Sequence, residues 1–148
     1  MSAVFDSAAF AIRPFAPADT EAVVALWQAC GLTRPHNDPR RDIARKLAVQ
    51  PELFLVGEAA GRLAASAMSG YDGHRGWIYY LAVHPGLQGR GLGRHMVAAV
   101  EERLLALGCP KINIQVRADN AAVAGFYTRL GFAADDLRSL GKRLIPDN

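Results

Sequence analysis

Residues 81–96 read LAVHPGLQGRGLGRHM, with glycines at Gly89, Gly91 and Gly93 between an apolar run and a helical pattern. The apolar residues before the glycines are typical of a buried strand, and those after them recur with a period of about 3.6 residues. Because glycine has no Cβ, alternating glycines let several backbone N–H groups point into one concavity. The following helix adds unpaired N–H groups and about half a positive charge. The stretch therefore predicts an anion site that suits a diphosphate.

The basic residues support the same interpretation. Arg90 and Arg94 lie one helical turn apart in this stretch, and their planar guanidinium groups match phosphate oxygens. The whole chain carries 17 Lys and Arg against 14 Asp and Glu, a formal net charge of +3. This excess is small and dispersed, whereas nucleic-acid-binding proteins carry a basic stripe or cluster. We expect a small polyanionic ligand and no nucleic-acid partner.

Two common phosphate motifs fail here. A dinucleotide fingerprint requires Gly or Ala where Arg94 stands, and no acidic residue ends a following strand. A Walker A loop requires Lys and then Ser or Thr, but Leu92 and Gly93 stand there. The sequence therefore disfavours a nucleoside-triphosphate machine.

Composition narrows the class of protein. The chain has 148 residues, 51% hydrophobic and 21% charged, as expected for one globular domain spanning residues 1–148. No apolar run approaches the roughly 20 residues of a membrane-spanning helix, and residues 1–10 lack the basic start of a secretory signal. Cys30 and Cys109 lie far apart without CxxC spacing or a histidine cluster, which predicts reduced, buried thiols and no metal site. We expect a cytoplasmic protein without a membrane partner.

Periodicity and turn residues divide the rest of the chain into elements. Strands are predicted at residues 10–15, 53–59, 63–71, 77–83 and 112–116, with a terminal strand or pair from Phe132 onward. Helices are predicted at residues 17–30, 39–49, 92–107 and 120–130. The third helix carries an apolar stripe expected to face the core, namely Leu92, Met96, Val100, Leu104 and Leu107. This order of elements predicts an α+β (mixed α/β) sheet.

Two strings resemble the signatures of a known family. QGRGLG at residues 88–93, preceded by LAVHP, resembles the Q/R-x-x-G-x-G/A acyl-CoA-binding motif of the GNAT superfamily of N-acetyltransferases. NAAVAGFYTRLGF at residues 120–132 resembles the family's second signature, in which an Asn opens a helix that ends in F-Y-x-x-x-G-F. Three further strings, RPHNDP, YDGHRG and SLGKRLI, resemble the small bacterial YpeA-type acetyltransferases. The resemblance covers residues 10–145.

This resemblance implies a central mixed, mostly antiparallel sheet that splays between strands 4 and 5 and is flanked by about four helices. It also implies acetyl-CoA as co-substrate and no metal. The pantetheine arm would pair with the main chain of Leu81 and Val83 on strand 4, like an added strand. The remaining implied cofactor contacts are Gln88, Gly89, Arg90, Gly91, Leu92, Gly93, Arg94, Asn120 and Tyr127.

The resemblance also implies catalytic roles. A backbone N–H on strand 4, that of Val83, would polarise the thioester carbonyl. Tyr127 stands where the family places the acid that protonates the leaving thiolate. A phenol with a pKa near 10 is a feasible donor to a thiolate with a pKa of about 8.5 only if hydrogen bonding positions it.

The general base stays open. Many relatives place a glutamate on strand 4, but Trp77 stands at the equivalent position here, and residues 77–83 contain no Asp or Glu. One alternative is that the proton leaves through water toward Asp72, His74 or Glu58. The other is that the amine needs little help, which favours an α-amine with a pKa of about 7.7 to 8.0 over a lysine.

The acceptor pocket is expected opposite the cofactor, beside the loop between the first two helices. The predicted substrate contacts are Trp27, His36, Asn37, Asp38 and Asp72. An alternative for Asn37 and Asp38 is a turn in which they bond their own backbone.

The leading prediction is therefore an acetyl-CoA-dependent N-acetyltransferase. It would move the acetyl group directly to a primary amine of a small molecule, a peptide or a protein N-terminus. The alternative is a non-catalytic acyl-CoA-binding sensor or regulatory module, which the missing glutamate favours. A nucleotide-binding regulatory protein is a third option, and a homodimer is one open choice of assembly.

Overall fold

The computed structural model describes residues 9–147, so the expected absence of a secretory signal falls partly on residues outside the described chain. The strands are β1 (Ala11–Pro14), β2 (Phe54–Ala59), β3 (Arg62–Tyr71), β4 (Gly76–Val83) and β5 (Ile112–Ile114). The helices are α1 (Thr20–Ala29), α2 (Pro39–Leu47), α3 (Leu92–Ala106) and α4 (Ala121–Arg129). Within residues 9–147, no helix is both long and apolar enough to cross a membrane.

Local side chains explain where two of these helices begin. The Asp38 carboxylate accepts a hydrogen bond from the Arg40 N–H, and Pro39 occupies the first turn of α2. The Asn120 side chain accepts a hydrogen bond from the Val123 N–H and so caps α4. Both caps satisfy N–H groups that have no partner within the helix.

The sheet has the strand order β1-β2-β3-β4-β5. The first four strands pair antiparallel, and β5 runs parallel to β4. A parallel connection needs a crossover element, which is α3. The predicted mixed, mostly antiparallel α+β sheet with four flanking helices is therefore confirmed.

The sheet opens beside the middle of β4. In the pairing of β3 with β4, Ser66 lies opposite Ala82 and Met68 opposite Tyr79, so two residues of β4 face the single Ala67. This bulge gives Tyr80 a φ of +53°. Because β5 pairs only with Gly76–Ile78, β4 and β5 separate beyond that point. The predicted splay is confirmed.

Two apolar layers cover the sheet. On one face, Leu55 and Ile78 pack with side chains of α3 and with Tyr127 of α4. On the other face, Phe54 and Met68 pack with α1 and α2. The gap between β4 and β5 therefore lies between a layer built on α3 and α4 and a layer built on α1 and α2.

Two expectations are wrong. Leu107 is 52% exposed because α3 ends at Ala106, although the other four residues of the predicted stripe are buried. Within residues 132–147 the structure has no strand. The apolar side chains of this segment, such as Leu137 and Leu140 at 82% and 92% exposure, find no face of the sheet to cover.

Candidate active site

The glycine-rich turn connects β4 to α3 with an open backbone. Gly89 and Gly91 have φ values of +79° and +81°, a region that residues with a Cβ rarely adopt. Gly91 is the N-cap of α3 and supplies no capping side chain, so the N–H groups of the first turn are left for another acceptor. His84 lies at the start of the turn, where its Nδ1 accepts from the Gly86 N–H, as expected for a loop residue.

The charges around this turn fit a diphosphate. A Cβ added to Gly91 would lie 3.5 Å from Nη2 of Arg94, so that guanidinium is beside the turn. Arg90 adds a second cation, and residues 81–96 contain no carboxylate. A Cβ on Gly89 would meet no atom within 4 Å, so there is open space beside this residue. The donor set consists of amides and guanidinium groups, which bind phosphate oxygens.

The main chain of β4 is open toward the gap. The His84 N–H donates to the Ala64 carbonyl at 2.8 Å, and in an antiparallel pair the bonded groups alternate along the strand. Val83 therefore directs its N–H and C=O away from β3, toward the side where β5 has separated.

The Val83 carbonyl is already engaged. It accepts from Nε2 of Gln88 at 3.1 Å and from Sγ of Cys30 at 3.2 Å. Burial raises the pKa of the half-buried Cys30 thiol, so it stays protonated and donates. A guest that pairs with β4 therefore finds the Val83 N–H available, but reaches the carbonyl only by displacing the Gln88 side chain.

Tyr127 lies on α4 with a buried ring. Phe126 and Phe132 contact it edge-on, at centroid distances of 5.1 Å and 5.4 Å. Within residues 9–147 its hydroxyl has no hydrogen-bond partner, so ring packing orients this side chain and the expected positioning hydrogen bond is not formed. Burial raises the pKa of Tyr127 to about 12. The hydroxyl therefore keeps its proton throughout the physiological range.

A close contact links α4 to the glycine-rich turn. A Cβ on Gly93 would lie 3.2 Å from Cζ of Phe126. The absence of a side chain at Gly93 thus allows α4 to approach the first turn of α3. This approach places Tyr127, the next residue of α4, in the apolar cluster against which Leu81 and Val83 pack.

A cleft of about 760 Å³ lies on the α1 and α2 side of the sheet. Tyr79 and Tyr80 form part of its wall at the bulge of β4. Because β4 gains one residue there, both tyrosine side chains lie toward the same cleft. The other lining residues are Leu32, Asn37, Asp42, Arg45, Lys46, Val49, Met68, Ser69, Gly70, Gln115 and Arg117.

Three of these side chains form a hydrogen-bonded group. The Tyr80 hydroxyl donates to Oδ2 of Asp42 at 2.6 Å, and Nδ2 of Asn37 donates to the same oxygen at 2.5 Å. Nδ2 of Asn37 also lies 3.0 Å from the Tyr80 hydroxyl oxygen. Burial and the neighbouring Asp42 raise the pKa of Tyr80. The group brings one carboxylate and one phenol to the acceptor side of β4.

Trp27 supports this group from behind, which corrects its predicted role as a substrate contact. It is 0% exposed, and its ring stacks on Tyr80 at a centroid distance of 3.7 Å. Its Nε1 donates to Oγ of Ser66 at 2.9 Å, and that hydroxyl donates to the Tyr80 carbonyl at 2.8 Å. A fully buried ring cannot touch an acceptor, so Trp27 positions Tyr80.

Of the other residues predicted to contact the acceptor, one lines the cleft and the rest lie outside its lining. Asn37 lines the cleft, whereas the exposed His36 is outside its lining and Asp38 caps α2. Asp72 is also outside the lining and holds the β3–β4 turn by accepting from the N–H groups of His74 and Arg75. These two hydrogen bonds lower the pKa of Asp72. Asp72 therefore holds the turn, and its role as a substrate contact stays a prediction.

Glu58 is also far from the proposed chemistry. It pairs with Arg13 at 2.6 Å on β1 and β2, two strands away from β4. The nearest carboxylate to the cleft is Asp42, which the sequence analysis missed. An acid on an amphipathic helix is usually solvated, so the sequence carried no signal that singles out Asp42. Within residues 9–147, no three His, Cys, Asp or Glu residues form a group that could hold a metal ion.

Comparisons with known proteins identify the family. A profile of the acetyltransferase (GNAT) family matches residues 20–132. The chain is similar to an acetyltransferase of Yersinia enterocolitica, with 53% identity over 136 residues that cover 92% of this chain and 96% of that protein.

Solved structures give the same fold. The chain is similar to Ard1 from Thermoplasma volcanium, with a TM-score of 0.74 and 26% identity, covering 84% of this chain and 83% of that one. It also resembles an aminoglycoside N-acetyltransferase solved in complex with CoA, with a TM-score of 0.71 and 17% identity over 92% and 95% of the two chains.

The family match therefore spans most of the chain, and the resemblance of the two sequence signatures is confirmed. Two relatives at 53% and 52% identity are named acetyltransferases. The chain belongs to the GNAT family of acetyltransferases and is an acetyltransferase.

Proposed function

We propose that the protein transfers the acetyl group of acetyl-CoA directly to a primary amine. The observation that carries this proposal is the opening between β4 and β5, which lies between the glycine-rich turn and the cleft. Direct transfer requires that the two substrates meet, and a gap in the sheet gives them a common place. The GNAT family uses acetyl-CoA, and the aminoglycoside N-acetyltransferase with this fold was solved with CoA.

In this proposal the turn holds the pyrophosphate of CoA. The N–H groups of residues 88–94 supply most donors, and Arg90 and Arg94 add positive charge. The main chain of Leu81 and Val83 guides the pantetheine arm along β4. Asn120 contacts the same arm from the start of α4 while it continues to cap that helix.

Acetyl-CoA supplies a thioester carbonyl and a thiolate leaving group when bound. The Val83 N–H donates to the carbonyl oxygen and stabilises the charge that develops there. Tyr127 holds the proton that the sulfur receives. Its raised pKa keeps the hydroxyl protonated. Proton transfer therefore depends on how closely α4 brings this hydroxyl to the sulfur.

Asp42 accepts the proton of the amine, and the Tyr80 hydroxyl relays it by giving its own proton to the carboxylate as it takes up another. Asp42 is the one carboxylate among the described residues that line the cleft, and it already accepts from Tyr80. A water hydrogen-bonded to this pair can carry the proton away from the nitrogen. This assignment adds Asp42 to Asp72, His74 and Glu58 as candidates for the general base, and the lining of the cleft favours Asp42 among them.

Release of free thiol from acetyl-CoA, measured against a panel of amines and peptides, tests the proposal. We expect one class of amine to accelerate release and to appear as its acetylated product. Acceleration of thiol release by no amine, while CoA still raises the melting temperature, would favour the acyl-CoA-binding sensor. Thermal protection by ATP or NAD but not by CoA would favour the nucleotide-binding alternative.

A further inference from the structure

A buried carboxylate lies next to the acceptor cleft. Among residues 9–147, Asp147 is the one charged residue that is buried, with 4% of its surface exposed. Both of its oxygens accept from Arg45 at 2.7 Å, in the bidentate geometry of a guanidinium and a carboxylate. Arg41 lies 3.7 Å and Arg143 lies 3.9 Å from the same group.

Arg45 links this carboxylate to the cleft. Its Nη1 lies 2.7 Å from Asp147 and 3.7 Å from Asp42, and Arg45 itself lines the cleft. The charge of Asp147 also contributes, after burial and Asp42, to the raised pKa of Tyr80. The guanidinium of Arg45 is therefore shared between the Asp147 carboxylate and the group that faces the acceptor.

The segment that carries Asp147 is loosely attached. Residues 132–147 contain no strand or helix, and Leu140 and Leu144 are 92% and 84% exposed. Between Phe132, which packs against Tyr127, and Asp147, its contacts include single polar bonds such as Gln115 to Ser139 and Lys111 to Asp135. Burying a carboxylate is unfavourable unless it is well paired. The pairing with Arg41 and Arg45 of α2 therefore explains why Asp147 is buried at this position.

The cleft also carries an excess of positive charge. Among the described residues, Arg45, Lys46 and Arg117 line it against the carboxylate of Asp42, and Asp147 pairs with Arg45 from outside the lining. Such a surface attracts anionic ligands and orients them. Burial lowers the pKa of Lys46, whereas a guanidinium stays charged. The positive charge of the cleft therefore depends mainly on its arginines.

We propose that Arg45, assisted by Arg41, binds a carboxylate of the acceptor, and that Asp147 occupies this carboxylate subsite in its absence. This inference rests on the proposed function and specifies its substrate class: an amine that also carries a carboxylate. The acceptor carboxylate replaces the Asp147 carboxylate on Arg45. Because an attached group competes at an effective concentration in the millimolar range, Asp147 raises the KM of such acceptors.

Matched acceptors test the subsite in the full-length protein. Tripeptides and longer-chain amino acids are assayed beside their carboxamides, so that only the carboxylate charge changes. For Asp147→Asn we expect kcat/KM to favour the carboxylate by about tenfold or more, since hydrogen bonds between charged groups are strong. Arg45→Gln should bring the ratio close to one. Arg40→Gln is the control, because Arg40 is on the same helix but pairs with Glu21.

Calorimetric titration with glutarate, which has no amine, measures the subsite without turnover. We expect glutarate to bind Asp147→Asn and to bind the double variant Asp147→Asn/Arg45→Gln at least about tenfold more weakly. A ratio near one with every pair of acceptors, or equal glutarate affinity for both variants, would overturn the subsite. Acetylation of carboxylates and carboxamides alike would leave the amine-transfer proposal standing. Glutarate binding through Arg45 without acetylation of any amine would support the subsite and contradict amine transfer.

Discussion

The two sides of the splayed β4 are built from different parts of the chain. On the cofactor side, main-chain groups of one continuous stretch, residues 81–94, form the turn, and glycine is needed at Gly89 and Gly91 by their positive φ. On the acceptor side, Asn37, Asp42 and Tyr80 meet from a loop, a helix and a strand. A backbone site leaves a local sequence signature, whereas a side-chain site assembled from distant segments leaves almost none.

This difference predicts that adding a side chain at a glycine of the turn has a larger effect than any substitution on the acceptor side. Gly91→Glu should abolish CoA binding, because it forces a residue with a Cβ to φ +81° and places a negative charge beside Arg94. For the unchanged protein, CoA at about a hundred times its Kd should add about 2.7 kcal/mol of stability, and the variant should show no shift in melting temperature. Gly108→Glu, at φ +83° near the other end of α3, controls for the backbone strain. Retained protection in Gly91→Glu would place the anion elsewhere.

Removal of the Tyr127 hydroxyl should act on chemistry alone. Tyr127→Phe should lower kcat by about a hundredfold, within the usual range for general acids, with CoA affinity within about twofold. Stability at neutral pH should change little, because the hydroxyl has no hydrogen-bond partner within residues 9–147. Steady-state kinetics and calorimetry measure both quantities. An unchanged kcat would remove Tyr127 from the role of acid.

Changes on the acceptor side should affect the amine and spare CoA. Asp42→Asn removes the charge that accepts from Tyr80 and Asn37, so we expect kcat/KM for the amine to fall by about tenfold. The Kd of CoA should not change. Asp72→Asn is the comparison, since Asp72 lies in the β3–β4 turn, and its kcat/KM should stay within about twofold. Equal losses in the two variants would return the base to the turn.

The smallest expected effect is a loss of stability at alkaline pH. Burial raises the folded-state pKa of Tyr127 to about 12, above the unfolded value near 10. The contribution to stability is therefore fully present below about pH 10 and is lost as the pH rises toward 12. Between about pH 9 and pH 10.5 it should reduce the free energy of unfolding by about 1 kcal/mol. Urea titrations should show a smaller decrease for Tyr127→Phe; equal decreases would contradict the assignment.

The sequence predicted the glycine-rich turn and the helices and strands better than it predicted the acceptor side. Caps such as Asp38 and Asn120, together with periodicity, marked the helices within a few residues. The predicted strand after Phe132 was wrong because a strand needs a neighbour, and no sequence pattern states whether one is present. Trp27 was assigned to the substrate because an aromatic residue near a loop carries no sign of complete burial.

The amino-acid sequence by itself determined the family, the order of the elements and the turn between β4 and α3, because these depend on neighbours along the chain and on the freedom of glycine at Gly91. Only the tertiary structure decided that Asp42 rather than Asp72 or Glu58 faces the cleft, that Trp27 supports Tyr80, and that Asp147 pairs with Arg45. These contacts join residues 38 to 102 positions apart, and their geometry is set by packing across the sheet. Packing, unlike a turn or a cap, has no local signature that can be recognised in one sequence.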